Sequence, residues 1–206
     1  FSGKELEYIL VIGRQVQSDS FARNYMVCET SEYRLDNNIS QVYIFCHRLT
    51  RNLLERLPRN TVMMAQIALQ EVLINSIEHG NLEIGYEKKT ELRHREGNYW
   101  EHLIRECNVD FLKNRKIHVS YRLDNEKVTY VIRDEGAGFD WRSYINRESE
   151  IVKSGVFSTY HGFGLQIAKS CFDVSFNESG NIVTMTKYFT RTAAHDKNVP
   201  QPGADG

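Results

Sequence analysis

From about Val62 to His79 the chain is apolar nearly all round a helix, with Met64, Ile67, Leu69, Val72, Leu73, Ile74 and Ile77 spread over its circumference. Such a segment folds only where other elements cover it, so the pattern predicts a helix buried at the centre of a packed domain. Asn60 or Thr61 would start it and Gly80-Asn81 would stop it. One stripe breaks the apolar pattern: Ala68, Glu71, Asn75 and Glu78 or His79 recur at helical spacing. Glu71 and Asn75 lie four residues apart, so both project from one side and suit a single bound group, unless they simply satisfy each other. Asn75 offers a neutral carbonyl oxygen of the kind that suits a Mg²⁺ ion keeping several waters and phosphate oxygens. Glu71 offers a carboxylate able to polarise a water or a hydroxyl.

A second element begins as a strand in which Val128, Tyr130 and Ile132 share one face by period two, and Asp134 is the next residue of that parity. A carboxylate turned toward an apolar interior is costly unless a donor meets it, and an exocyclic amine such as that of adenine is a suitable donor. Gly136 and Gly138 follow, letting the backbone turn sharply and a flat ring approach without Cβ interference. Taken alone, Asp134-Glu135-Gly136-Ala137-Gly138 could equally be a capped turn ending a strand. The third element is His161-Gly162-Phe163-Gly164, just ahead of Leu165 to Cys171, which reads as a short helix with an apolar stripe. Glycines at a helix start expose amides to an anion, and the helix dipole favours negative charge there. The motif is too short for a dinucleotide fingerprint and lacks the lysine of a Walker loop.

In this order the three elements resemble the GHKL superfamily of ATPases, which includes gyrase, heat-shock chaperones, histidine kinases and the mismatch-repair ATPases. The resemblance covers about residues 39 to 189. Glu71-x-x-x-Asn75 followed by His79-Gly80 looks most like the branch of bacterial anti-sigma factor serine kinases and related signalling ATPase domains. The resemblance implies an α+β fold, a two-layer α/β sandwich of the Bergerat type whose mixed, mostly antiparallel sheet carries helices on one face. It also implies ATP and Mg²⁺ as cofactors. By the same resemblance Glu71 matches the catalytic base, Asn75 the Mg²⁺ ligand and Asp134 the acid that reads adenine. Gly136 and Gly138 match the first glycine box, Gly162, Gly164 and Leu165 the second, and residues 140–161 the lid over the phosphates. The implied partner is an anti-sigma antagonist protein, with a sigma factor competing for the same domain, and a homodimer is allowed. The chain departs from the family at Gly180-Asn181, where Gly-Thr often opens the last strand, which leaves the secondary, water-linked adenine contact open.

Three readings of function follow: a serine protein kinase, the ATPase module of a sensor histidine kinase, and a noncatalytic domain whose binding is gated by ATP. His47-Arg48-Leu49-Thr50-Arg51-Asn52-Leu53 resembles a phospho-acceptor box and speaks for the second. Against it, only a short stretch containing Pro58 separates His47 from Glu71, with no room for the second dimerisation helix. Ser40 to Leu57 is better read as the first helix of the ATPase fold, with Tyr43, Leu49, Leu53 and Leu57 facing inward.

With 206 residues and 41% hydrophobic content the chain can form one well-packed domain with extensions. A net charge of −1, with basic and acidic residues interspersed, argues against a nucleic-acid platform. Cys28, Cys46, Cys107 and Cys171 are scattered, without zinc-ligand spacing or a disulfide framework, and reduced cytoplasmic thiols are the expectation. No apolar run approaches membrane-spanning length, and a chain beginning at Phe1 is expected to be a fragment or a processed piece. Residues 1–24 read either as the last strand of a PAS-like sensor domain, around Leu6 to Arg14, or as a helical linker with Leu6, Ile9, Leu10 and Val16 on a stripe. Residues 25–190 then form the ATPase domain, in which Tyr25 to Leu35 supplies an edge strand, and residues 191–206 a disordered tail. The charged insertion at residues 85–115, with Trp100, Leu103, Ile104 and Cys107 at helical spacing, is expected to pack on the domain, and its place beside the site makes it a candidate docking element. Arg142, Arg147 and Lys153 are available in the lid to meet phosphate oxygens, though each fits a solvated charge as well.

Overall fold

The structure, a computed structural model, describes residues 26–94, 99, 101, 114–143 and 163–189. The expected upstream linker or sensor strand, the bulk of the lid with Arg147 and Lys153, His161, Gly162, the apolar positions from Trp100 to Cys107 and the tail lie outside these residues. The chain order is β1 (Cys28–Leu35), α1 (Ile39–Thr50) with a tight 3₁₀ turn Arg51–Glu55, α2 (Arg59–Asn75), α3 (Tyr86–His94), β2 (Ile117–Asp124), β3 (Lys127–Arg133), α4 (Phe163–Cys171), β4 (Asp173–Phe176) and β5 (Ile182–Tyr188). The strands form one sheet in the order β1-β2-β3-β5-β4, and among the described residues every neighbouring pair is antiparallel. This is the α+β architecture that the family resemblance implies, its sheet antiparallel throughout the described residues, with β1 at an edge as expected.

Period-two patterning decides which face of the sheet is covered. Val119, Tyr121 and Leu123 of β2, Val128, Tyr130 and Ile132 of β3, and Val183 and Met185 of β5 all point to one face and are buried against the helices. The intervening residues, among them His118, Arg122, Thr129, Arg133 and Thr186, form the more open face. At the centre, the Tyr130 hydroxyl donates to the Leu49 carbonyl at 3.0 Å, tying the sheet to the end of α1, and its ring meets Phe172 edge-on at 5.8 Å.

Three helical expectations are corrected. α1 buries Ile39, Val42, Cys46 and Leu49, with Leu53 from the following turn, whereas Tyr43 points outward. The inward stripe therefore runs through Val42 and Cys46, one helical step round from Tyr43. α2 is less enclosed than its composition suggests, since Met64 is 42% and Ile67 39% exposed while Ala65, Ala68, Leu69 and Leu73 are buried. Its small residues let neighbouring helices close on one side and leave the bulkier side open. Gly80 also fails to stop the helix: Ser76–Asn81 continues α2 as a single π-helical turn, in which the Leu82 amide reaches back to the Ile77 carbonyl at 2.9 Å.

Candidate functional site

The polar stripe of α2 faces the start of α4. A Cβ placed on Gly164 would lie 2.7 Å from Glu71 Oε2, 3.1 Å from Glu71 Cβ and 3.5 Å from Asn75 Nδ2. Only a residue without a side chain lets the first turn of α4 rest on Glu71 and Asn75 at this closeness. Both side chains are half-buried, and the first turn of α4, whose amides have no partners within their own helix, is brought beside them. Leu165, next in the chain, is buried.

Asp134 stands at the end of β3. As its strand parity predicts, it is buried, at 7% exposure, the first polar residue after Val128, Tyr130 and Ile132 on the covered face. Its amide continues the sheet ladder to the Asn181 carbonyl at 3.1 Å, and one carboxylate oxygen accepts the Gly136 amide at 3.0 Å. Burial pushes the Asp134 carboxyl up to about 6, while the Gly136 amide and the charges of Arg115 and Arg133 pull the other way. A carboxylate so placed gains most from a ligand that brings a hydrogen-bond donor into the pocket.

Two glycines make the close contacts beneath Asp134. A Cβ on Gly80 would collide with the Asp134 carboxyl carbon, and a Cβ on Gly136 would collide with the Gly80 carbonyl. The π-helical turn and the turn after β3 are thus in backbone contact directly under the acid. Gly138, at φ +84, and Gly180, at φ +80, make a reciprocal close approach, each with its Cβ position blocked by the other loop, at Ser179 O and Phe139 O respectively. Their positive φ values are ones that a side chain rarely tolerates. Gly80 and Glu71 are nine residues apart on one continuous helical path, a rise of about 13 Å. The site is therefore elongated, with a buried hydrogen-bond acceptor at one end and a helix start flanked by Glu71 and Asn75 at the other.

Sequence reasoning missed a set of residues that hold this geometry. Asn81 is fully buried; its Oδ1 accepts the Glu135 amide at 2.8 Å, and its Nδ2 donates to Asn37 Oδ1 at 2.8 Å. Asn37 in turn donates to the Arg115 carbonyl at 3.1 Å, and the Arg115 guanidinium donates to the Asn81 carbonyl at 3.1 Å. The Glu135 carboxylate is fixed from the open side by His118 Nε2 at 2.8 Å and the Lys116 amide at 3.1 Å. Asn181, at the family departure, spends its amide on the loop: Oδ1 accepts from Asn177 Nδ2 and Ser179 Oγ, both at 2.8 Å. Its Nδ2 reaches the Asp134 carbonyl at 3.5 Å. Glu78, placed on the site stripe by spacing, turns away from it toward α3, and His79 bonds the Ile84 carbonyl through Nδ1 at 2.5 Å. In the described start of the lid, Arg142 lies over the Trp141 ring at 4.5 Å. His47 lies on the exposed side of α1.

The sequence profile of the histidine kinase-like ATPase domain matches residues 35–187. The chain belongs to the histidine kinase-like ATPase family. No curated protein sequence matches it. The histidine kinase-like ATPase domain is an ATP-binding signalling module, and its match begins at the end of β1 and ends within β5. Of the site residues, Glu71, Asn75, Asp134, Gly164 and Leu165 all fall inside the matched segment of this histidine kinase-like ATPase. Among its described residues no helix is long and apolar enough to cross a membrane.

Proposed function

We propose that this domain binds ATP with Mg²⁺ and transfers the γ-phosphoryl group to a serine hydroxyl of a protein partner. The observation that carries the reading is the joint placement of Glu71 and Asn75 against the first turn of α4, one helix length from the buried Asp134. In this reading Asp134 accepts the adenine amine, which gives its buried carboxylate a second donor beside the Gly136 amide. Gly164 and its neighbouring amides hold phosphate oxygens, where the helix dipole favours negative charge. The residues suit Mg²⁺: Asn75, beside the first turn of α4, carries a neutral amide oxygen, and the Glu71 carboxylate lies one turn away on the same side of α2. Such a site fits a cation that takes most of its ligands from water and phosphate. Bound there, the ion would neutralise charge on the phosphate oxygens. Glu71 takes the proton of the attacking serine hydroxyl as its oxygen bonds to the γ-phosphorus; the bond to the β-phosphate oxygen breaks, and ADP leaves. By family resemblance the serine belongs to an anti-sigma antagonist, and a sigma factor competes for the domain.

Glu71→Gln keeps the side chain's shape beneath Gly164 and removes the base. The expected outcome is unchanged ATP affinity by calorimetry, with transfer of label from γ-labelled ATP to the seryl partner reduced by roughly 10²- to 10⁴-fold. Undiminished transfer by this variant would remove Glu71 from the chemistry. Should the wild type transfer nothing while ATP still changes its affinity for the partner, the nucleotide-gated binding domain replaces the kinase.

The raised carboxyl of Asp134 sets a pH dependence. Below about 6 the free protein holds a proton on Asp134, which must leave before the adenine amine can be accepted, so ATP affinity should fall about tenfold per pH unit there. Above pH 6 this contribution should be flat. The fold responds oppositely: the native state holds this proton more tightly than the unfolded chain does. Its contribution to stability is therefore full below about pH 4 and is lost as the pH rises through 6. Titrating affinity and melting temperature over this window in wild type and in Asp134→Asn, which should lack both trends, checks the assignment.

A further inference from the structure

Glu78 is the one acidic side chain of the described residues that is completely buried, and the nucleotide site does not use it. Its Oε1 accepts the Tyr99 hydroxyl at 2.9 Å, and the Lys89 ammonium of α3 sits against Oε2 as a charge contact off the hydrogen-bond axis. Lys89 is itself largely covered, at 12% side-chain exposure, and Leu92 on the same helix is fully buried in the common core. α3 is thus fastened to the domain by a desolvated charge pair, whose loss leaves an uncompensated buried charge. The anchor point is the π-helical turn Ser76–Asn81. Two residues beyond Glu78, Gly80 lies against the Asp134 carboxylate; three beyond, Asn81 holds the Glu135 amide. The Glu78 carbonyl also accepts the Ile84 amide at 2.8 Å, closing the chain that leads from this turn into α3.

We infer that Lys89 and Tyr99 are positioning residues for the adenine pocket, acting through Glu78 to fix the turn on which Asp134 rests. The inference rests on the ATP-binding reading and deepens it: the helix inserted at Tyr86–His94 sets base recognition from outside the pocket. A π-helical turn is a rare, single-turn arrangement, and here the contacts of the Glu78 side chain with Tyr99 and Lys89 grip its centre. With the clamp broken, the turn can relax toward regular helix, shifting Gly80 and Asn81 from beneath the acid while leaving Glu71, Asn75 and Gly164 in place.

The test is the ratio of ATP to GTP affinity, measured by calorimetry with Mg²⁺ on the full chain well below the melting transition. A merely structural contact would lower the melting temperature and leave this ratio alone. Lys89→Met is expected to weaken ATP binding about tenfold with little change for GTP, so the preference for ATP drops by about tenfold. Pairing it with Glu78→Gln, which makes the pocket neutral at nearly constant volume, should restore the preference. Tyr99→Phe, which removes only one hydroxyl and should fold in any event, is expected to lower the ratio about threefold. A wild-type ratio in both Tyr99→Phe and any folded Lys89→Met protein would overturn the inference while leaving the ATP reading intact. Absence of ATP binding by the wild type would overturn both.

Discussion

Asp134→Asn is expected to weaken ATP binding roughly 5- to 150-fold, the equivalent of about 1–3 kcal/mol for a buried group left without its partner. The two carboxylate oxygens have two duties: one accepts the Gly136 amide, and the other is free to accept an incoming amine. An asparagine has one acceptor oxygen and one amide nitrogen. If its oxygen keeps Gly136, its NH₂ meets the adenine NH₂, donor against donor; if it turns to the adenine, the Gly136 amide is orphaned. Stability should move the other way. Above pH 6 the native acid carries a charge that burial disfavours, so the neutral amide is expected to hold or raise the melting temperature. Loss of affinity without loss of stability separates a recognition role from a structural one.

Gly80→Ala is expected to cost both. The added methyl would overlap the Asp134 carboxyl carbon, which is no flexible chain end but a buried group held by the Gly136 amide. Either the acid swings out or the π-helical turn backs away, and the Gly80 carbonyl already lies hard against Gly136. Overpacking of this kind destabilises by about 1–3 kcal/mol, and the displaced carboxylate should lose at least about tenfold in ATP affinity. Thermal melts and calorimetry on the same sample check the pair of effects. A variant with wild-type affinity would mean that the backbone contact under Asp134 does not bear on recognition.

The contrast between Gly80 and Asp134 indicates how far the sequence alone could reach. Strand parity placed Asp134 on the covered face because a period of two admits no drift over four positions, and the acid is buried as that parity requires. Glu71 and Asn75 were legible for a similar reason: an i,i+4 pair on a regular helix shares a side whatever packs around it. Their contact with Gly164 was not legible: that glycine reads as room for phosphate oxygens, and the structure sets Glu71 and Asn75 against it. The π-helical turn defeated the same logic five residues on. Its extra residue shifts the helical phase, so spacing put Glu78 on the site stripe when it turns to Lys89 and Tyr99. It also made Gly80-Asn81 look like a helix stop, the commonest meaning of that pair. The link from Asn81 through Asn37 to Arg115 joins three distant segments by side-chain hydrogen bonds, which leave no periodic trace. On α1 hydrophobicity points Tyr43 inward, and on α2 it implies a helix covered all round, Met64 and Ile67 included, although the small residues Ala65 and Ala68 and the slim Cys46 do the close packing.

The most direct measurement is a calorimetric titration of the folded protein with ATP, and separately with GTP, in the presence of Mg²⁺ near neutral pH. A buried carboxylate reading an amine, with a helix start receiving phosphate about 13 Å away along the α2 path, predicts saturable uptake of one ATP per chain and far weaker uptake of GTP, whose base presents a carbonyl where adenine presents the amine. Equal affinity for the two nucleotides, or no heat of binding for either by protein with a cooperative melt, would contradict it.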